Sequence, residues 1–234
     1  MSDSARLRKT QTRDGGGRSM NNANAKQHEK KLQDSVLLIK SELELMYPEL
    51  EFTHRKNLYK REIAEVVDPI TPWVPVSKDP FISPDGGSLF VEWNGVKYPI
   101  LISEAKKQGT NDERYKEGLK KQGMGNGIER APKNALEIWS YCKKYDFNPY
   151  VIFCCGCDFY DTSSINDRLD VMTQYEPRGF NYSLFKKDGE HQNMVSIYIK
   201  SHHYKEEPNF WTVGEIYEIM KEIAIDITNH IIEK

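Results

Sequence analysis

The 234-residue sequence predicts an α/β fold, one central mixed β-sheet flanked by helices on both sides. Two observations carry this. Apolar residues recur at helical spacing near both ends of the chain, while the middle holds short apolar runs of strand length. An Asn-Gly dipeptide at Asn94-Gly95 joins two of those runs, the signature of a tight hairpin. With 38% apolar and 29% charged residues the chain has the composition of a globular protein. Its net charge of -2 excludes a polycation, so any nucleic-acid site must be a local basic patch.

The elements follow in order. Residues 1–26 are polar and glycine-rich, and Arg6, Arg8, Lys9, Arg13, Arg18 and Lys26 outnumber Asp3 and Asp14. They are expected to form a flexible basic arm ahead of a single domain at 27–234. Leu32, Val36, Ile39, Leu43 and Met46 lie on one face of a helix over His28–Tyr47, stopped by Pro48. A shorter helical pattern covers Lys60–Val67. A proline-broken stretch follows, and then SLFVEWNG and VKYPILISEA read as the hairpin strands. Residues 107–130 are polar, with five glycines and no steady period. Pro132 suits a first helical turn, and Ala135, Ile138, Trp139 and Cys142 share a face behind it. NPYVIFCCGCDFY reads as a buried strand and MVSIYIK as another, with a helix near Ile165–Met172 between them. The last helix opens on a capping box, Thr212 with Glu215, and carries Val213, Ile216, Met220, Ile223, Ile227 and Ile231 as its apolar stripe.

No run of 18 apolar residues exists and the first residues show no apolar core of the signal-peptide type, so neither a membrane span nor a signal peptide is expected. The four cysteines are Cys142, Cys154, Cys155 and Cys157. Three crowd into one apolar run, too close for a disulfide framework, so a reduced cytoplasmic protein is expected. A zinc site from Cys154, Cys155, Cys157, His202 and His203 is the alternative. A strand points alternate sulfurs to opposite faces, however, and buried small apolar side chains are the better reading.

The strand ILISEAKKQG poses the chemical question. Alternation puts Ile100, Ile102, Glu104 and Lys106 on one face, so a carboxylate and an ammonium end a buried apolar row. Nineteen positions upstream, Asp85 stands in PDGG, and the hairpin can return it beside Glu104. Converging carboxylates make a hard oxygen site suited to Mg²⁺, with Lys106 placed for a phosphate oxygen or a water. Taken singly, Glu-x-Lys reads as an ion pair and PDGG as a turn. Joined by a hairpin they form the loose pattern of the PD-(D/E)xK nucleases.

SPDGG, ILISEAKKQG and GMGNGIERAPKN, in that order, narrow the pattern. Together they resemble the EcoRI family of type II restriction endonucleases. YPEL, NPYVIF, NDRLDVMT and EIMKEIAIDI echo it over most of the chain from about residue 30. The resemblance implies a restriction-endonuclease-like core, with Asp85, Glu104 and Lys106 catalytic. It implies that Asp85, Glu104 and the Ala105 carbonyl hold Mg²⁺. It implies hydrolysis of double-stranded DNA to a 5′-phosphate with 5′ overhangs. Asn126 and Arg130 would read base edges, with Gly127 close to the bases. Lys107, Gln108 and Arg168 would make further DNA contacts. An AATT core is expected, with GAATTC the first guess for the whole site. Gly127 stands where the family has alanine, Gln122 and Gly123 depart from it, and Val171 replaces a second arginine. A palindromic site calls for a homodimer, built from helices that include 132–145 and 212–232, in a cytoplasm where a methyltransferase guards the same sequence. The alternatives are a structure-specific repair nuclease of the same core and a sequence-specific DNA-binding protein without catalysis.

Overall fold

The computed structural model describes residues 15–71, 73–75, 78–120, 130–160 and 195–234. Helix α1, Gly15–Met46, ends where Pro48 forbids continuation. It begins inside the stretch expected to be an arm, and residues 1–14 lie outside the described part. Leu32, Val36, Ile39 and Leu43 are buried on the face that the spacing indicated, but Met46, at the helix end, is exposed.

Strand β1 (Glu51–Arg55) is followed by a short strand β2 (Leu58–Tyr59), helix α2 (Lys60–Val67) and a short strand β3 (Phe81–Ile82) that pairs with β2. The hairpin is β4 (Gly87–Trp93) and β5 (Val96–Lys107). Its turn has Asn94 at φ 52° and Gly95 at φ 74°, the left-handed pair that a two-residue hairpin loop demands. Helix α3 (Thr110–Lys116), helix α4 (Arg130–Cys142), β6 (Tyr150–Cys155), a 3₁₀ turn (Cys157–Phe159), β7 (Ser196–Lys200) and helix α5 (Val213–Ile232) complete the order.

The central sheet runs β1-β4-β5-β6-β7. β1, β4 and β5 are antiparallel, whereas β5, β6 and β7 are parallel, so the sheet is mixed as the sequence predicts. β6 is buried along its whole length, as a parallel strand covered on both faces must be. Leu32 of α1 lies against the Gly86 backbone beside Ser103, so the Leu101/Ser103 face of β5 meets α1. The Ile102/Glu104 face meets α4, through Asn134. The α5 capping box is formed, with the Thr212 side chain accepting from the Glu215 amide. Ile216, Met220, Ile223, Ile227 and Ile231 are buried, but Val213, at the helix start, is exposed. That stripe packs within the chain, so a dimer face at 212–232 would have to use the other side of α5. Among the described residues no helix is long and apolar enough to cross a membrane.

Candidate active site

The site forms where β5 passes the turn ahead of β4. Asp85 sits in that turn. The Gly87 amide donates to the Pro84 carbonyl at 2.9 Å, and the Gly86 amide donates to the Ser103 carbonyl at 2.9 Å. Two glycines are required here for different reasons. Gly87 has φ +75°, and a side chain on it would strike His54 and the Arg55 carbonyl. A Cβ on Gly86 would fall 2.0 Å from the Ser103 hydroxyl. The turn is also pinned from outside: Gln33 Nε2 donates to the Asp85 carbonyl at 3.1 Å, and His54 Nε2 donates to the Gly86 carbonyl at 3.0 Å. The Asp85 side chain then reaches back to the hairpin, where Oδ2 accepts from the Ala105 amide at 3.0 Å. One peptide unit therefore ties Asp85 to the strand position between Glu104 and Lys106.

Glu104 is 2% exposed, an expensive place for a carboxylate unless it is paired. Its partners come from three elements. Tyr150 Oη donates to Oε2 at 2.7 Å, and Asn134 Nδ2 donates to Oε1 at 3.4 Å. The Lys106 ammonium pairs with Oε1. Tyr150 reaches it because β5 and β6 register Ile102 with Tyr150, on the same sheet face as Glu104.

The electrostatics are dominated by desolvation. Burial raises the Asp85 carboxyl to about 6, against the pull of Lys106 and the Ala105 amide; Glu104 and Glu29 of α1 push it further up. Lys106 is drawn down by burial but lifted more by Glu104 and Asp85, so it stays an ammonium. Burial, then Glu104, keeps the Tyr150 phenol protonated, a permanent donor to its carboxylate.

The structure thus brings Asp85, Glu104, Ala105 and Lys106 together. It sends Lys107 to the opposite strand face, where its ammonium lies 4.2 Å from the Phe210 ring centroid, a cation–π contact. Gln108 is fixed through its backbone: its amide donates to the Cys155 carbonyl at 2.9 Å, and its carbonyl accepts from Asp158. Asn126, Gly127 and Arg168, the departures at Gln122, Gly123 and Val171, and the helix near 165–172 lie outside the described residues, as does the Arg130 side chain. Sequence reasoning missed Tyr150, Asn134, His54 and Gln33 as partners of the site. Tyr150 stood within the NPYVIF echo and Asn134 at the end of GMGNGIERAPKN; His54 and Gln33 carried no local signal.

Residues 14–232 match the family profile described as Restriction endonuclease EcoRI. The chain is 28% identical over 236 residues to the type II restriction enzyme EcoRI of Escherichia coli, covering 86% of this chain and 84% of that protein. It is 28% identical over 244 residues to the type II restriction enzyme RsrI of Cereibacter sphaeroides, covering 90% and 87%.

Proposed function

The chain belongs to the EcoRI restriction endonuclease family, and from that premise we propose that it cuts double-stranded DNA at a palindrome with an AATT core, GAATTC first, with Mg²⁺ as cofactor. The observation that carries the catalytic part is the single peptide link between Asp85 and the Glu104–Lys106 pair. The donor set fits the ion. Two carboxylates converge on one peptide, one of them held at a raised pKa by burial, and hard oxygens are what Mg²⁺ takes. Asp85, Glu104 and the Ala105 carbonyl would hold it. When bound, the ion lowers the pKa of a water and neutralises charge on the phosphate.

The chain's own residues do the rest. Lys106, kept as an ammonium, offers its charge to the extra negative charge of the transition state. Tyr150 and Asn134 orient Glu104, so that its carboxylate needs no rearrangement when substrate arrives. The product carries a 5′-phosphate and a 5′ overhang. Base reading falls to Asn126 and Arg130, with Gly127 letting the backbone approach the bases; this rests on the GMGNGIER resemblance. Gln108, Lys107 and Arg168 supply supporting contacts. A palindrome requires a two-fold reader, hence a homodimer with one active site per strand. A methyltransferase of the same specificity would protect host DNA.

The test is cleavage of a plasmid of known sequence with Mg²⁺, with the cut ends sequenced. Fixed cuts at an AATT-centred palindrome are expected. Fixed cuts elsewhere would overturn the roles of Asn126 and Arg130 but keep the nuclease. Uncut DNA from folded protein would leave a sequence-specific binder without catalysis.

A further inference from the structure

Away from the catalytic carboxylates, three side chains of different chemistry converge. Asp112 lies in the first turn of α3, Cys157 opens the 3₁₀ turn after β6, and His202 follows β7. All are buried, at 9%, 5% and 4% exposure. One ligand atom from each lies within 4.8 Å of the others. We propose that Asp112, Cys157 and His202 bind a zinc-class divalent ion, at a site distinct from the nuclease centre.

The chemistry of the donors selects the ion. A thiolate, an imidazole and a carboxylate suit Zn²⁺ or Co²⁺; Mg²⁺ does not take sulfur. Zinc bond lengths place tetrahedral ligand atoms about 3.3–3.6 Å apart. His202 Nε2 stands 3.1 and 3.0 Å from the two Asp112 oxygens, so the ligands need only spread slightly. The thiolate and the Asp112 carboxylate together balance a divalent charge, and the buried Asp158 carboxyl beside Cys157 is held by Asn111 at 2.8 Å.

The three donors hydrogen-bond one another and their neighbours where the ion would sit. The Asn209 amide donates to His202 Nδ1 at 3.3 Å, which leaves the ring proton on Nε2, directed at Asp112. The Cys157 thiol is held protonated, chiefly by burial and next by its bond to Asp112. Asp112 therefore accepts the His202 N–H, and the Cys157 thiol is shared between Asp112 and the buried Asp158, whose Oδ1 lies 3.5 Å from the sulfur. Metal binding balances as follows. The thiol releases its proton to solvent, and the ring proton moves from Nε2 to Nδ1. The Asn209 contact must then open, and Asn209 lies on an exposed loop. The fourth position falls to water or to the second Asp112 oxygen.

The strand arithmetic that disfavoured zinc holds for Cys154 and Cys155, whose side chains alternate on β6. It fails for Cys157, because Gly156, at φ +127°, turns the chain off the strand first. Asp112 was not among the zinc candidates, because it comes from a helix with no sequence signal.

The experiment loads the full chain with zinc, desalts it and measures metal by mass spectrometry. An Asp85→Asn background removes a carboxylate of the nuclease site from the count. Close to one zinc per chain is expected, lost in Cys157→Ser and kept in Cys155→Ser. Thermal unfolding should rise by about 5–10 °C at a hundredfold excess over Kd and fall back with chelator. Should Cys157→Ser not fold, cobalt decides on the unaltered cluster: a thiolate-to-cobalt charge-transfer band supports the site. Negligible zinc on folded protein, no such band, or full zinc retained by folded Cys157→Ser would overturn it.

Discussion

Asp85→Asn should make the protein more stable in chelator, although it removes a residue of the proposed active site. Burial lifts the folded Asp85 carboxyl to about 6 from an ordinary 3.8. The folded chain therefore binds this proton more tightly than the unfolded chain does. The resulting destabilisation is absent below pH 3.8, grows as pH rises between the two values, and is complete above about 6. At about 1.4 kcal/mol per pKa unit it amounts to about 3 kcal/mol at pH 8 and about half that at pH 5. Asparagine keeps an oxygen for the Ala105 amide, so the turn geometry survives. The assay is urea unfolding of both proteins in chelator at pH 8 and pH 5. The variant should be more stable by about 2–3 kcal/mol at the higher pH, with a gap that narrows at the lower. Adding Mg²⁺ should stabilise only the unaltered chain. A variant no more stable at pH 8, or a gap that does not change with pH, would refute the reasoning.

Glu104→Gln should lower DNA cleavage by at least about a hundredfold while site-specific binding survives; full cleavage by this variant would remove Glu104 from the catalytic set. Tyr150→Phe should fold, lose about 1–3 kcal/mol of stability with its bond to the buried carboxylate, and need more Mg²⁺ for half-maximal cleavage. An unchanged Mg²⁺ titration would mean that Tyr150 only fills space. Asn126→Ala should cost about 1–3 kcal/mol of binding to the specific site and little on other DNA, as competition binding would report. Equal loss on all DNA would make it a backbone contact.

Features with local causes were legible in the sequence. The Asn94-Gly95 turn, α2, the α5 capping box and the end of α1 before Pro48 each depend on residues within a few positions of one another. The Asp85–Glu104–Lys106 grouping was legible because a hairpin is itself local. The partners that complete it were not. Tyr150 reaches Glu104 only because β6 pairs in parallel with β5 at one register, and no periodicity in either strand encodes that register. His54 and Gln33 act from β1 and α1 on backbone carbonyls, contacts that leave no trace in residue pattern. Helix α3, TNDERYK, was missed because it has no apolar stripe and lies in a glycine-rich stretch.

The opposite charges at the end of β5 look wasteful from the standpoint of folding. Glu104 is almost fully buried, Lys106 is paired with it, and Asp85 is held where its ionised form is disfavoured. A strand ending in apolar residues would fold more readily. The same desolvation has a second consequence. Charges stripped of water interact more strongly with whatever enters between them, and here nearly every group is already fixed by protein hydrogen bonds. Gln33 and His54 hold the turn, Ala105 holds Asp85, and Tyr150 and Asn134 hold Glu104. A divalent ion that enters would meet oriented carboxylates and offset the desolvation, and the smaller repulsion from Glu104, that raise Asp85. The burial that destabilises the ionised Asp85 thus also favours any cation that can pair with it. The stability advantage of Asp85→Asn in chelator should therefore shrink or reverse as Mg²⁺ is added, because only the unaltered chain gains from the ion.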